Sequence, residues 1–167
     1  MRRVPPFPLL GEPGDWDRLT LLAGTIRLEA EGEPEAGQLG VGYVVMNRVI
    51  FWKLDLHAVI LGPDRRAYQD NKPFEPFSCW NSDYQPMAEA RLAGAGEAAE
   101  SAWRAAAAAL WPLLPDPTHG AIFYLNVDLT KRLRHGTLPD WAADPHDPTL
   151  VHANKVKVVL GRHTFLV

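Results

Sequence analysis

One cysteine, Cys79, is all that 167 residues contain, so neither an internal disulfide framework nor a cysteine-based zinc cluster is available to the fold. No apolar run approaches the roughly 18 residues of a membrane span. The alanine-rich stretch 105–110 is short and is bounded by Arg104 and Pro112. Charge of one sign is lacking too: 17 basic and 20 acidic residues leave a formal net charge of -3. Long-range attraction to nucleic acid or to an anionic lipid surface is therefore not expected, and neither partner is predicted. The arginines at the start, Arg2 and Arg3, are followed by Pro5, Pro6 and Pro8, which interrupt any h-region. The expectation is synthesis in the cytoplasm without a signal peptide.

What is present is a 47% hydrophobic chain of single-domain size, able to bury a core without staples. Residues 1–14 read as a proline-rich extension and 15–167 as a single domain. Asp15 and Asp17 offer N-cap oxygens ahead of Leu19, Leu22, Ala23, Ile26 and Ala30, whose spacing predicts an amphipathic helix over 16–31 that Gly32 stops. A second helix is predicted from Pro34 through Leu39, Tyr43, Met46 and Val49. On it Ala36, Gly40 and Val44 form a small-residue stripe suited to close approach by another helix. A short helix over Leu56–Leu61 and an alanine-rich one over Glu97–Trp111 follow, the latter ended by Pro112 and Pro115. Between them 62–86 has no sustained period and reads as a long ordered loop carrying Phe74, Phe77, Trp80 and Tyr84. Ala121–Val127, Val156–Leu160 and the Gly161-Arg162 turn before Phe165 predict a small antiparallel sheet. Helices first and strands later indicate an α+β domain.

Glu29 stands out because it borders the apolar face of the first helix, three residues after Ile26 and seven after Leu22. Partial burial and the negative end of the helix dipole both favour a carboxyl that keeps its proton, which is what protonating a glycosidic oxygen requires. On spacing alone the plainer reading, a helix-end carboxylate in water, is the favoured one.

The run Leu28-Glu29-Ala30-Glu31-Gly32-Glu33-Pro34, followed by Met46-Asn47-Arg48-Val49, resembles the SleB-type cell-wall hydrolase family. That family includes spore cortex-lytic enzymes and phage lysins, and its signature is Gly-Glu-Ala-Arg-Gly-Glu-Pro followed by Leu-Asn-Arg-Val. The resemblance continues in order through Phe77-Ser78-Cys79-Trp80-Asn81, Asp116-Pro117-Thr118-His119-Gly120-Ala121, Tyr124, Asn126, Pro139-Asp140-Trp141 and Leu160-Gly161-Arg162-His163-Thr164-Phe165. It implies a lysozyme-like fold, with a helical core and a small antiparallel sheet forming one wall of a cleft. It also implies Glu29 as the catalytic residue and cleavage of peptidoglycan between N-acetylmuramic acid and N-acetylglucosamine, by lytic transglycosylation or by hydrolysis.

Three departures, Leu28 for Gly, Glu31 for Arg and Pro76 for Gln, bear on substrate contacts but leave the acid in place. Glu33, Asn47 and His163 are expected to support the site, His163 by capping the hairpin. Phe77, Trp80, Tyr124 and Trp141 are candidates for stacking on sugars, and Ser78 and Asn126 for bonding acetamido or hydroxyl groups. Core packing is the rival reading, favoured for Phe77 and Trp141 taken alone. Hydrolysis normally needs a second carboxylate, for which Glu33, Asp83 and Asp140 are available and none is singled out. Cys79 reads as a buried small hydrophobe.

No cofactor and no metal are expected, and the chain is expected to act as a monomer. Two rivals stay open. A zinc amidase would draw on His57, His119, His135, His146, His152 and His163, which show no recognised ligand spacing. A non-catalytic wall-binding phage module would keep the fold without the reaction. With no separate wall-binding repeats, a phage endolysin that reaches the wall after release is the expected biological setting.

Overall fold

The structure, a computed structural model, describes residues 7, 11–68 and 77–167. Helix α1 (Arg18–Ala30) starts where the Asp17 carboxylate accepts the Leu19 and Thr20 amides at 2.9 and 3.0 Å. It is followed by α2 (Glu35–Trp52) and α3 (Leu56–Leu61). Next come two 3-10 turns, Ser78–Trp80 and Ser82–Tyr84, and then α4 (Gln85–Ala93) and α5 (Glu97–Leu110). Strand β1 (Phe123–Asn126) runs straight into α6 (Val127–Leu133), and the hairpin β2 (Val156–Leu160) and β3 (His163–Leu166) ends the chain.

The first helix is central rather than amphipathic. It packs on α2, α3, α4 and α5, and every residue from Thr20 to Leu28 is buried. Of its buried polar side chains, Thr20 bonds Asp17 and the Thr25 hydroxyl donates to the Leu21 carbonyl at 2.8 Å, while Arg27 pairs with Glu31 at 2.8 Å but leaves its buried Nε without a hydrogen-bond partner. Helix α5 comes close because its inner face is alanine. At Gly42 an added Cβ would sit 3.1 Å from Ala109 and from Ile26, so this is where two helices nearly touch α2.

Of the stripe Ala36, Gly40 and Val44, the last two face the sheet instead of a helix, and Ala36 is exposed. An added Cβ at Gly40 would lie 2.6 Å from Cζ of Phe165, which is fully buried and cannot yield. Gly40→Ala is therefore expected to destabilise the fold by about 1–3 kcal/mol through overpacking, read as a lowered melting temperature. Unchanged melting would show that the sheet does not bear on α2 in this way.

The sheet is antiparallel in the order β1-β3-β2, with Tyr124 opposite Phe165 and Asn126 opposite His163. One face meets α2 through Val44, Ala121 and Phe165, and the other is covered by Leu138, Ala142 and Ala143 of the loop before β2. Helices α4 and α6 escape sequence reading for a physical reason. Only Ala88 and Leu92 of α4 are buried, and no residue of α6 is, so neither has an apolar period to show. Phe7, from the segment read as an extension, is buried and stacks on Trp103 with ring centroids 5.1 Å apart. Phe74 and Pro76 lie outside the described residues. Among the described residues no helix is long and apolar enough to cross a membrane.

Candidate active site

Glu29 occupies the last turn of α1, half-buried, where that helix end meets both β1 and the Ser78–Trp80 turn. One carboxylate oxygen accepts a hydrogen bond from the Tyr124 hydroxyl at 2.9 Å, and the other accepts from the backbone N–H of Cys79 at 3.3 Å. Tyr124 is directed there by β1. Its ring rests edge-on against His163 at 5.0 Å and is tilted against Phe165 at 5.9 Å and Phe77 at 6.5 Å. Burial pushes the Tyr124 hydroxyl well above the usual phenol range, the neighbouring Glu29 charge adds to this, and Arg48 opposes it. Tyr124 therefore holds its proton and serves as a donor.

Beneath the site, Arg48 of α2 is buried, and its Nε donates to the Ile122 carbonyl at 2.7 Å. Its guanidinium lies 5.0 Å from the ring of Phe77, 5.2 Å from that of Trp52 and 5.7 Å from that of Phe123. Asn47, one residue earlier, donates to the Asp116 carboxylate and to the Ala121 carbonyl, both at 3.0 Å. These bonds fasten the turn before β1 to α2, and so set where β1 begins.

Glu33 has a different task. Its side chain is buried and accepts from the Arg162 backbone N–H at 2.8 Å and from Arg162 Nε at 2.6 Å. This clamps the β2–β3 hairpin onto the junction between α1 and α2. Gly161 supplies the positive φ of the turn, and a side chain there would collide with the Glu33 carboxylate and with Pro34. Burial pushes the Glu33 carboxyl up, but the two Arg162 hydrogen bonds and the charges of His163 and Arg162 outweigh it and hold it below its ordinary 4.5. His163 is not a hairpin cap. It is buried beneath the Tyr124 ring, and burial, opposed by Glu33 and Glu29, depresses its imidazole below 6.5.

Both folded-state values lie below the unfolded ones, so each group supports the fold fully above its unfolded value and withdraws that support as pH falls. The melting temperature is expected to drop first as pH passes below about 6.5, from His163, and again below about 4.5, from Glu33. Glu33→Gln should make the acid limb shallower in a calorimetric pH series, the remainder coming from Asp17, Asp55 and Asp116, which hydrogen bonds also hold below their ordinary value, and an unchanged acid limb would show that the clamp contributes nothing.

The remaining predicted residues divide. Trp141 is 40% exposed and stacks on Phe123 at 5.2 Å, leaving one face open. Ser78 is exposed, and Asn126 is half-buried with its Oδ1 capping α6 at the Leu129 amide. Phe77 is buried between Arg48 and Tyr124 and lines the site from inside. Trp80 is corrected outright. It is 0% exposed, its indole N–H donates to the Thr25 hydroxyl at 3.1 Å, and its ring packs on Trp16 and Tyr68, so no face is left for a sugar.

Cys79 is half-buried rather than buried, and its backbone N–H bonds Glu29. Asp83 and Asp140 are exposed. Glu31, where the resembling family has Arg, is paired with Arg27 and, at 3.4 Å, with Arg91. Two participants were not singled out beforehand. A backbone N–H such as that of Cys79 leaves no mark in a sequence, whereas Arg48, set between Val45 and Val49, was detectable as a charge on an apolar helix. Among the described residues the histidines, Cys79 and the carboxylates form no group able to hold a metal ion.

A carboxyl at a helix end, faced by a three-stranded antiparallel sheet, belongs to a lysozyme-like α+β fold. The cell wall hydrolase family matches residues 32–166, and the chain belongs to that family, whose members act on peptidoglycan. The match begins three residues after Glu29 and does not include it. Among solved structures, the catalytic domain of the Bacillus cereus SleB protein is similar in fold. It has a TM-score of 0.55 and 21% identity, with 90% of this chain and 89% of that one covered. No curated protein matches.

Proposed function

We propose that this cell wall hydrolase is a lytic transglycosylase that cuts the glycan strand between N-acetylmuramic acid and N-acetylglucosamine, with Glu29 as its one acid and base. In the first step the protonated carboxyl gives its proton to the glycosidic oxygen as the bond from that oxygen to C1 of the muramoyl residue breaks. The resulting carboxylate then takes the proton of the muramoyl 6-hydroxyl as that oxygen closes on C1, which leaves a 1,6-anhydro ring and returns the proton to Glu29. No water is consumed.

The observation that carries this reading is the half-buried Glu29 held between the Tyr124 hydroxyl and the Cys79 amide, with neither partner shared with a second carboxylate among the described residues. Hydrolysis with retention needs a nucleophilic partner about 5 Å away, and inversion needs a base that can hold a water. Glu33 meets neither need, because it is buried and both of its oxygens are engaged by Arg162. Asp83 and Asp140 are exposed on separate surface turns.

Mass spectrometry of the fragments released from purified peptidoglycan tests the proposal. Anhydromuramoyl ends, one water lighter than reducing ends, are expected. Reducing muramic acid ends would make the enzyme a muramidase, and release of stem peptides with intact glycan would make it an amidase or peptidase.

A further inference from the structure

Residues 137–152 join α6 to β2 without forming a helix, yet they are fastened throughout. The Leu138 amide donates to the Pro148 carbonyl at 2.8 Å, that of Asp144 to Leu150 at 2.8 Å and that of His152 to Ala142 at 2.9 Å. Ala143 and Val151 form an isolated antiparallel bridge, and Leu138 and Ala142 anchor the loop on the sheet. These ties give the loop a defined shape, which leaves an open cavity of about 650 Å³ walled by Asp140, Asp144, Pro145, Pro148, His152 and Lys155.

Charges of both signs line this cavity and do not cancel. Lys155 Nζ donates to the Trp141 carbonyl at 2.8 Å, which fixes the ammonium without neutralising it. Among the described residues neither that ammonium nor the Asp140 and Asp144 carboxylates form an ion pair. Asp144 has one oxygen on the His146 amide at 2.9 Å, and Asp140 is exposed. His152 Nδ1 is buried and has no hydrogen-bond partner among the described residues, an unmet bond in a residue of the same wall. A held ammonium beside uncancelled carboxylates fits a ligand that carries a carboxylate and an amine of its own. A neutral acetylated sugar has neither.

Trp141 joins the cavity to the active site: its carbonyl holds Lys155, Asp140 precedes it, and its ring stacks on Phe123, the residue before Tyr124. We propose that this cavity binds the stem peptide carried by the muramoyl residue of peptidoglycan, with Lys155 taking a peptide carboxylate and Asp140 and Asp144 the side-chain amine of a diamino acid. A chain of three residues reaches about 10 Å, so a sugar stacked on Trp141 can deliver its peptide into a cavity bordered by the neighbouring Asp140.

This inference rests on the glycan strand being the part that is cut, and its tests keep the two apart. Intact strands and strands freed of their stem peptides by an amidase are compared as substrates, by release of glycan fragments. The parent is expected to show a KM about tenfold higher for the peptide-free strands. Lys155→Met and Asp140→Asn should each raise the KM for intact strands by about threefold to fivefold, the worth of a partly exposed ion pair, and leave it unchanged for peptide-free strands. A role limited to holding Trp141 would move both substrates alike. Because Asp140 is exposed, its variant tests the cavity even where Lys155→Met does not fold.

In parallel the parent is titrated with a synthetic stem tetrapeptide whose diamino acid keeps its free amine, and with the same peptide acetylated at that amine. Binding, read by NMR shifts at Lys155 and His152, is expected for the first and about fivefold weaker for the second. Equal KM values for the two substrates in the parent, equal losses of either variant on both, or tetrapeptides that bind alike or not at all overturn the proposal. Should the parent release no glycan fragments from either substrate, the cleavage proposed above fails, and the peptide titration alone decides on the cavity.

Discussion

Glu29→Gln is expected to slow the clearing of a peptidoglycan suspension by roughly 10²–10⁴-fold. The upper part of that range applies because the proposed route uses the same group twice, as acid and then as base, so an amide in its place forfeits both proton transfers. The fold should survive the change. The amide oxygen can still accept from Tyr124 or from the Cys79 N–H, and only one of the two contacts is lost. At a half-buried position that costs about 1 kcal/mol, a shift of a few degrees in melting temperature at most. Calorimetry and turbidity on the same preparation separate the two effects. Clearing at the parental rate by the folded variant would take Glu29 out of the mechanism, and with it the one-carboxyl route.

Trp80→Ala should produce the opposite pattern, a large loss of stability with little change in substrate affinity. The side chain is fully enclosed between α1, Trp16 and Tyr68. Truncating it leaves a cavity and orphans the Thr25 hydroxyl contact. A buried aromatic reduced to alanine costs about 3–5 kcal/mol, which for a chain of this length lowers the melting temperature by roughly 6–20 °C. The KM for peptidoglycan, measured where the variant is still folded, should match the parent's, whereas kcat is expected to fall because the adjoining Cys79 amide is less firmly held. Trp141→Ala provides the contrast: its exposed ring should give up affinity and little stability. A raised KM with unchanged melting for Trp80→Ala would return that residue to the cleft.

These two tryptophans show where sequence reading reached its limit. Both sit in motif pieces, Ser78-Cys79-Trp80 and Pro139-Asp140-Trp141, and nothing local tells an enclosed ring from an exposed one. The difference is made by residues far away in the chain: Trp16 and Thr25 close over Trp80, while Phe123 supports only one side of Trp141. His163 is a similar case. Its place beside the Gly161-Arg162 turn suggests a cap, but strand alternation turns it inward beneath Tyr124. The stripe at Gly40 was visible as a site of close approach, though not what approaches, since an alanine face and a phenylalanine edge leave the same gap on α2.

By itself the sequence determined the elements with a strong local signal and the place of one carboxyl at a helix end. Asp17 starting α1, Gly32 beyond its end, the alanine face of α5 and the Gly161 turn are consequences of side chains within a few residues of one another. The end of α1 is where a carboxyl can be half-buried, and Glu29 is the residue that falls there. Only the tertiary structure decided what surrounds that carboxyl. Tyr124 comes from 95 positions away and the Cys79 amide from 50, and Arg48 takes its place through rings on three separate segments. Such contacts depend on how the sheet and the turn dock against α1 and α2, and a pattern of neighbours along the chain carries no record of docking.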